Sequence, residues 1–252
     1  MRPVGARLSR TQKARKVTPS ESLQPIGEPV DPRPAKRPER VTLAGRAVTL
    51  VPLNADAHAD ALFDGANGGD RDRVWTYLFD GPYTDRAAFR ANIEAKAKSD
   101  DPLFFAILDN ASGRAVGYQT FLRIEPQHRV IEVGNILYTP AMQRSIGATE
   151  AQYLFARYVF DALGYRRYEW KCNDLNAPSK RAARRFGFTF EGVFRQHMIV
   201  KGRNRDTAWF AMLDSQWPAR RAAFERWLAP DNFDASGRQK IALATLNGVE
   251  GS

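Results

Sequence analysis

The chain has 252 residues, 43% of them hydrophobic and 11% aromatic, enough to bury a core in one large domain or two small ones. No run of about 18 apolar residues is present, so no membrane-spanning helix is expected, and no apolar segment near the N-terminus reads as a secretory leader. Cys172 is the single cysteine, which excludes an intrachain disulfide and fits a reducing, cytoplasmic compartment; three histidines and one cysteine form no ligand cluster, so no metal is expected.

The net charge of +10 is unevenly spread. Residues 1–40 carry ten Lys/Arg against four Asp/Glu, together with seven prolines and little apolar material, so this segment reads as a disordered tail. Its first twenty residues hold six basic and no acidic side chains. A solvated extension, a transit peptide and a nucleic-acid-binding arm all fit that pattern; no aromatic is interleaved to stack on bases, which counts against the last. Residues 41–252 hold 28 basic and 24 acidic side chains, a mildly basic body.

Ala47–Leu53 reads as the first strand. His58–Gly65 follows as a helix with Asp56 a candidate N-cap, then Asn67-Gly68-Gly69-Asp70 as a loop. Val74–Phe79 is a short aromatic segment ahead of Gly81-Pro82, and Asp85–Lys98 is a second helix opened by Thr84 or Asp85. Leu103–Asp109 and Ala115–Ile124 are strands joined by a turn at Asn110–Gly113, and His128–Tyr138 is the next strand. Thr149–Leu163 is the long helix, with a stripe of Ala151, Leu154, Phe155, Tyr158 and Ala162 and a C-cap at Gly164. Arg167–Cys172 is a strand, and Ser179–Phe186 a helix closed by Gly187. Phe190–Val200 and Thr207–Leu213 form a hairpin around Lys201-Gly202-Arg203-Asn204. Gln216–Leu228 is a last helix with Trp217, Phe224 and Trp227 inward, followed by an irregular tail over 231–252. Paired strands followed by strand–helix–strand units predict a mixed α/β domain over 41–230, with helices on both faces of one sheet.

The segment 136–188 carries the most chemistry. A strand ends at Pro140, a polar turn with Gly147 leads into the long helix, and Asn176-x-x-Ser179 opens the helix after the next strand. That order sets unpaired N–H groups at a helix N-terminus, where a phosphate can sit beside a cleft between two strands. Four pieces are then diagnostic together: Glu132-x-Gly134; Leu137-x-x-Pro140 with Gln143-x-x-x-x-Ala148-Thr149-Glu150-Ala151; Asn176-x-x-Ser179 with Gly187-Phe188; and Phe190-Glu191-Gly192. On these, residues 46–213 resemble the GNAT acetyltransferase superfamily, in the branch of the ribosomal-protein-alanine N-acetyltransferases. One departure stands out: Ile146 occupies the place of the family's central loop glycine, and Gly147 follows it.

The resemblance implies a seven-stranded, mostly antiparallel sheet splayed between its fourth and fifth strands. It also implies acetyl-CoA as co-substrate. The pyrophosphate would meet Gln143, Arg144, Ser145, Gly147, Ala148 and Thr149. The pantetheine arm would pair along Leu137, Tyr138 and Thr139, with the N–H of Leu137 or Tyr138 on the thioester carbonyl, and the Asn176 side chain would hold a pantetheine amide.

The reaction implied is direct attack of a neutral primary amine on the thioester. Glu132 is the candidate base, placed by strand alternation on one face with Gly134, Ile136 and Tyr138; the same carboxylate also reads as an ordinary strand residue paired with Arg129 or Arg123. His197 is the rival base. The tyrosine that many relatives use to protonate the leaving thiolate is replaced by Ala183; in the branch resembled a serine three residues after the asparagine serves instead, and Ser179 matches it, although Asn176 and Ser179 both also suit a helix cap. Cys172 reads as a core thiol.

Trp75, Tyr77, Phe79 and Tyr83 fall where the family's lid borders the acceptor, and Trp170 is expected to join them. The acceptor would be a protein N-terminus or a small-molecule amine, and the protein a monomer or homodimer. A catalytically silent acyl-CoA sensor and a nucleic-acid-binding protein acting through its tail are the competing readings.

Overall fold

The computed structural model describes residues 24–249, of which Arg33 onward belongs to one compact unit. Residues 25–32 have no regular secondary structure and are exposed; the strongly basic first twenty residues lie outside the described part.

Eight strands form one sheet in the order β1-β2-β3-β4-β5-β6-β8-β7. They are β1 (Leu43–Ala44), β2 (Val48–Pro52), β3 (Leu103–Asp109), β4 (Ala115–Glu125), β5 (Val130–Tyr138), β6 (Arg167–Asn173), β7 (Thr189–Val200) and β8 (Arg203–Leu213). The extra strand over the expected seven is the two-residue β1, too short to leave a pattern in the sequence. Every pairing is antiparallel except β5 with β6. That parallel pairing runs from Val130↔Arg167 only as far as Val133↔Trp170. Beyond it the strands part, at the junction expected to splay.

One face of the sheet carries α1 (Ala55–Ala66), α2 (Arg71–Trp75) and α3 (Arg86–Ala97), whose Leu62, Trp75, Phe89 and Ile93 pack with Phe104, Ala106 and Tyr118 of the sheet. The other face carries α4 (Ile146–Arg157), α5 (Ala177–Arg185) and α6 (Trp217–Leu228), over a larger core in which Phe121 stacks on Phe155 at 3.9 Å between ring centres. Burying such an aromatic side chain is worth roughly 1.5–3 kcal/mol.

Several boundaries differ from expectation for identifiable reasons. Helix α1 begins at Ala55 because Asn54, not Asp56, is its N-cap, accepting from the Ala57 N–H at 3.0 Å. Helix α4 begins three residues before Thr149, capped by Ser145, and its expected last turn is a π-helix over Tyr158–Ala162 ahead of Gly164 at φ 76°. The β7–β8 hairpin turns on two residues rather than four. Lys201 and Gly202 both sit at positive φ, 50° and 71°, as the twist of a tight hairpin demands, and β8 therefore starts at Arg203.

Both expected tails are partly docked. Residues 33–40 hug the unit through Ala35 N–H to Pro126 O (3.0 Å) and Lys36 N–H to Leu163 O (3.1 Å), with Pro38 buried. The prolines that suggested disorder also lower the entropy lost on ordering. At the other end, Asn232 is fully buried and donates to the carbonyls of Trp227 (3.0 Å) and Ile241 (3.2 Å). The four-residue helix α7 (Leu243–Leu246) drops Leu243 into the core. The 231–249 segment is thus tied down by side-chain amides that bond backbone groups far along the chain, which periodicity does not reveal.

Candidate active site

The loop from β5 into α4 is held by its own backbone. The Thr139 carbonyl accepts the N–H groups of Met142 (2.9 Å) and Gln143 (3.0 Å), and the Gln143 side chain donates to the Tyr138 carbonyl at 2.9 Å. Ser145 Oγ donates to the Met142 carbonyl (2.8 Å) and accepts from the Ala148 N–H (3.1 Å). The N–H groups of Ile146 and Gly147, in the first turn, have no intrahelical acceptor and lie at the positive end of the helix dipole. Arg144 is exposed beside them.

The displaced glycine finds its explanation here. The positive φ of the loop falls on Arg144, at 64°, so Ile146 needs only helical angles and offers its N–H without strain. Gly147 serves packing: a Cβ there would stand 2.6 Å from Val48 Cγ1. Ser145, Gly147 and Ala148 therefore gather at the helix start, with Arg144 next to them. Gln143 and Thr149 spend their side chains inside the protein, Thr149 Oγ1 accepting from Arg185 at 2.9 Å. Glu150 also works internally, its carboxylate accepting the N–H groups of Arg46, Ala47 and Val48 at 2.9, 2.6 and 2.9 Å.

Along β5 the Thr139 N–H donates to Val116 O on β4 at 3.1 Å. Alternation then turns the Leu137 N–H to β4 and the Tyr138 N–H into the split. Of the two expected oxyanion donors, only Tyr138 faces the gap.

A bulge in β5 changes the expected face. Asn135 has φ 45°, and the β4–β5 register slips between Tyr118↔Leu137 and Thr120↔Gly134. Glu132 and Gly134 stay on the side of α1–α3, whereas Ile136 and Tyr138 pack with the core under α4. The simple alternation that put all four together fails at this extra residue.

Glu132 is 4% exposed and lies within a chain of opposite charges. Its Oε2 contacts Lys171 Nζ at 2.9 Å and Arg123 Nε at 3.3 Å as ion pairs while accepting no aligned hydrogen bond. Of the two partners expected, Arg123 is the one used. Lys171 Nζ also meets Glu169 Oε2 at 2.6 Å and stands 3.7 Å above the ring of Trp209; Arg167 continues the chain from Glu169 (2.7 Å) to Glu191. Burial pushes the Glu132 carboxyl above the ordinary carboxylate range, against the pull of Lys171 and Arg123. His197 is on the same side, its Nδ1 2.9 Å from Thr207 Oγ1, and burial followed by the charges of Arg123, Arg205 and Lys171 holds it below the usual imidazole value.

Ser179 lies on the opposite face, in the first turn of α5. It accepts from Trp170 Nε1 at 3.0 Å, and its hydroxyl also hydrogen-bonds the sulfur of Cys172. The Asn176 side chain caps the helix through the Ser179 N–H at 3.1 Å. Trp170 is therefore not an acceptor-side aromatic; it packs against Phe186 and Phe188. Cys172 is buried on that same face, and burial raises its thiol pKa.

The lid residues divide. Trp75 and Tyr83 are core aromatics in edge contact at 5.3 Å, while Tyr77 and Phe79 are exposed. Tyr77 Oη donates to the Leu175 carbonyl at 3.0 Å and Lys201 Nζ to the Trp75 carbonyl at 2.8 Å, so the 74–83 segment is fastened to the β6–α5 loop and to the β7–β8 turn. Lys171, Glu169, Trp209 and Arg205 were missed from sequence. The strict alternation of Arg167-Tyr168-Glu169-Trp170-Lys171-Cys172 was the signal that could have found the first two.

An open mixed sheet, split between two parallel strands beside a helix N-terminus, defines an acyltransferase fold. The model of the acetyltransferase (GNAT) domain matches residues 47–189. A GCN5-related N-acetyltransferase from Brucella melitensis is 54% identical with a TM-score of 0.84, over 86% of this chain and 98% of that one. A GNAT-family acetyltransferase from Chromobacterium violaceum is 39% identical with a TM-score of 0.70, over 78% and 100%. The fold also matches that of the microcin C7 self-immunity acetyltransferase MccE, solved with acetyl-CoA and AMP, at 19% identity and a TM-score of 0.59, over 67% and 93%. No curated protein matches significantly. The chain belongs to the GNAT acetyltransferase family and is an acyltransferase.

Proposed function

We propose that this enzyme moves an acetyl group from acetyl-CoA to a primary amine by direct attack, with Glu132 as base and Ser179 as acid. The observation that carries the reading is the early end of the β5–β6 pairing at Val133↔Trp170, with Glu132 buried at the root of the gap and the start of α4 following the end of β5. The residues present fit the donor: first-turn N–H groups and Arg144 for a diphosphate, and an unpaired strand edge for a peptide-like arm. That MccE holds acetyl-CoA in a like fold supports the same choice.

An α-amino group has a pKa of about 8, so roughly a tenth is neutral at pH 7 and a modest base suffices. The amine approaches from the Glu132 face, the C–N bond forms, and the amine proton passes to Glu132 directly or through water. The Tyr138 N–H steadies the oxyanion. The C–S bond then breaks; Ser179 hydrogen-bonds the departing thiolate from the other face, the proton the thiolate takes up is returned to the serine from water, and Glu132 releases the amine proton to solvent. Fastening of the 74–83 segment on two sides favours a compact amine over a long peptide.

The test is Glu132→Gln. A turnover loss on the order of a hundredfold is expected, with coenzyme A affinity by calorimetry unchanged. Below the limb set by the amine's own ionisation, the wild-type kcat/KM should steepen once more at a pH above the free carboxylate value of about 4.3, because burial raises the Glu132 pKa, and that second bend should be missing in the variant. A variant that keeps full turnover removes Glu132 from the role. Coenzyme A binding with no amine turned over by the wild type would return the sensor reading.

A further inference from the structure

The face of β8 that looks toward Glu132 holds two buried donors with no acceptor among the described residues. Arg205 is 8% exposed, forms no ion pair, and its Nε makes no hydrogen bond. Its guanidinium lies 5.1 Å over the ring of Phe79 in the lid segment. Four residues along the same strand, and therefore on the same face, Trp209 Nε1 is also buried and unpaired. Thr207 between them is already engaged with His197. The neighbouring charges do not balance: Lys171 is shared by Glu132 and Glu169, Arg123 takes Glu132, and Arg205 is left over.

Buried donors left empty are rare and costly, and Arg205 Nε and Trp209 Nε1 are two of them. Position sharpens the point. Thr207 stands opposite Asn173 at the end of β6, so Arg205 lies beyond it, at the end toward which the β5–β6 split opens. The missing acceptor is at the mouth of the cleft, on the amine's side and beneath the lid.

We propose that Arg205 binds an anionic oxygen group of the acceptor, so that the physiological amine carries a carboxylate or a phosphate on the end away from its nitrogen. This rests on the acetyl-transfer reading and adds the substrate class. A guanidinium suits either anion because its paired N–H groups match two oxygens at once.

The test compares ω-amino acids having two to six methylenes with their amides, and ω-aminoalkyl phosphates with the matching amino alcohols, under saturating acetyl-CoA. The wild type should prefer the charged member at least tenfold in kcat/KM, mainly through KM; whichever arm shows it identifies carboxylate or phosphate. Arg205→Gln should bring the ratio near one, and Arg205→Lys, which keeps a cation and an apolar stem, should retain part of it. Calorimetric titration of the same amines onto the coenzyme A-bound protein reads the preference without turnover, so a failure of acetyl transfer and a failure of anion recognition are seen separately. Equal treatment of charged and neutral amines by the wild type, as when an ordered water satisfies these donors, overturns the proposal. So does an Arg205→Gln effect that falls on acetyl-CoA affinity instead.

Discussion

The two faces of β6 are a study in contrast. Tyr168, Trp170 and Cys172 point into the apolar core under α4–α6, where Trp170 donates to Ser179. Arg167, Glu169 and Lys171 point the other way into a chain of ion pairs that ends on Glu132. One strand therefore carries packing on one side and charge on the other, and the split beside it joins the two environments. An acyl donor needs the first, with shelter and a proton for sulfur; an amine needs the second, with a base in a polar setting. On the proposed roles of Glu132 and Ser179, the chemistry is divided across the sheet rather than collected in one pocket.

The hardest blow to the charged face should be Lys171→Met. It leaves Glu132 and Glu169, register partners on adjacent strands, as buried carboxylates facing each other. Removing one partner of a buried ionic group costs about 3–5 kcal/mol, measurable by urea unfolding at pH 7. The sign with pH follows. Without Lys171, which lowers it, the already raised Glu132 pKa must rise further above the unfolded value. Such a group is least harmful below the unfolded carboxylate pKa of about 4.3 and most harmful once pH exceeds the folded one, so the deficit should shrink on acidification. A deficit under 1 kcal/mol, or one that grows in acid, would mean that the two faces differ less than their composition suggests.

How much of this was legible follows from what each signal depends on. The strands and helices around the split followed from local periodicity, and the motifs at 143–151 and 176–179 marked both helix starts to within three residues. The face of Glu132 relative to Tyr138 was not legible, because a single bulged residue at Asn135 resets the alternation without changing the residue types. Lys171 lay in plain view as a polar position of an alternating strand, but its partners come from β5 and from β8, 39 and 38 residues away in sequence. Arg205 was hidden by the misplaced turn: placing the start of β8 at Thr207 left it in a loop, where an arginine draws no notice.

The apolar face is sharpened by Ser179→Ala. The variant should lower kcat about tenfold while the KM for acetyl-CoA holds, if the hydroxyl supplies the thiolate's proton. It also strands the Trp170 N–H, for about 1–2 kcal/mol of stability. Trp170→Phe separates the two effects: it removes the same bond from the other partner and should cost stability with much less effect on kcat. Equal losses of kcat in both variants would assign Ser179 to holding Trp170 and leave the sulfur without a protein acid.

The smallest expected effect lies at the lid over the charged face. Tyr77→Phe removes one hydrogen bond, to the Leu175 carbonyl, in an exposed setting. Such a bond is worth about 0.5–1.5 kcal/mol, so a roughly two- to tenfold rise in the acceptor KM is expected, with acetyl-CoA affinity untouched if the donor is held as proposed, along β5 and at the start of α4. Lys201→Met, which frees the second fastening at the Trp75 carbonyl, should act in the same direction. If the two substitutions together raise the KM for small amines but lower it for peptides with a free N-terminus, the lid is what excludes the larger acceptor, and the closed geometry of the 74–83 segment sets specificity rather than rate.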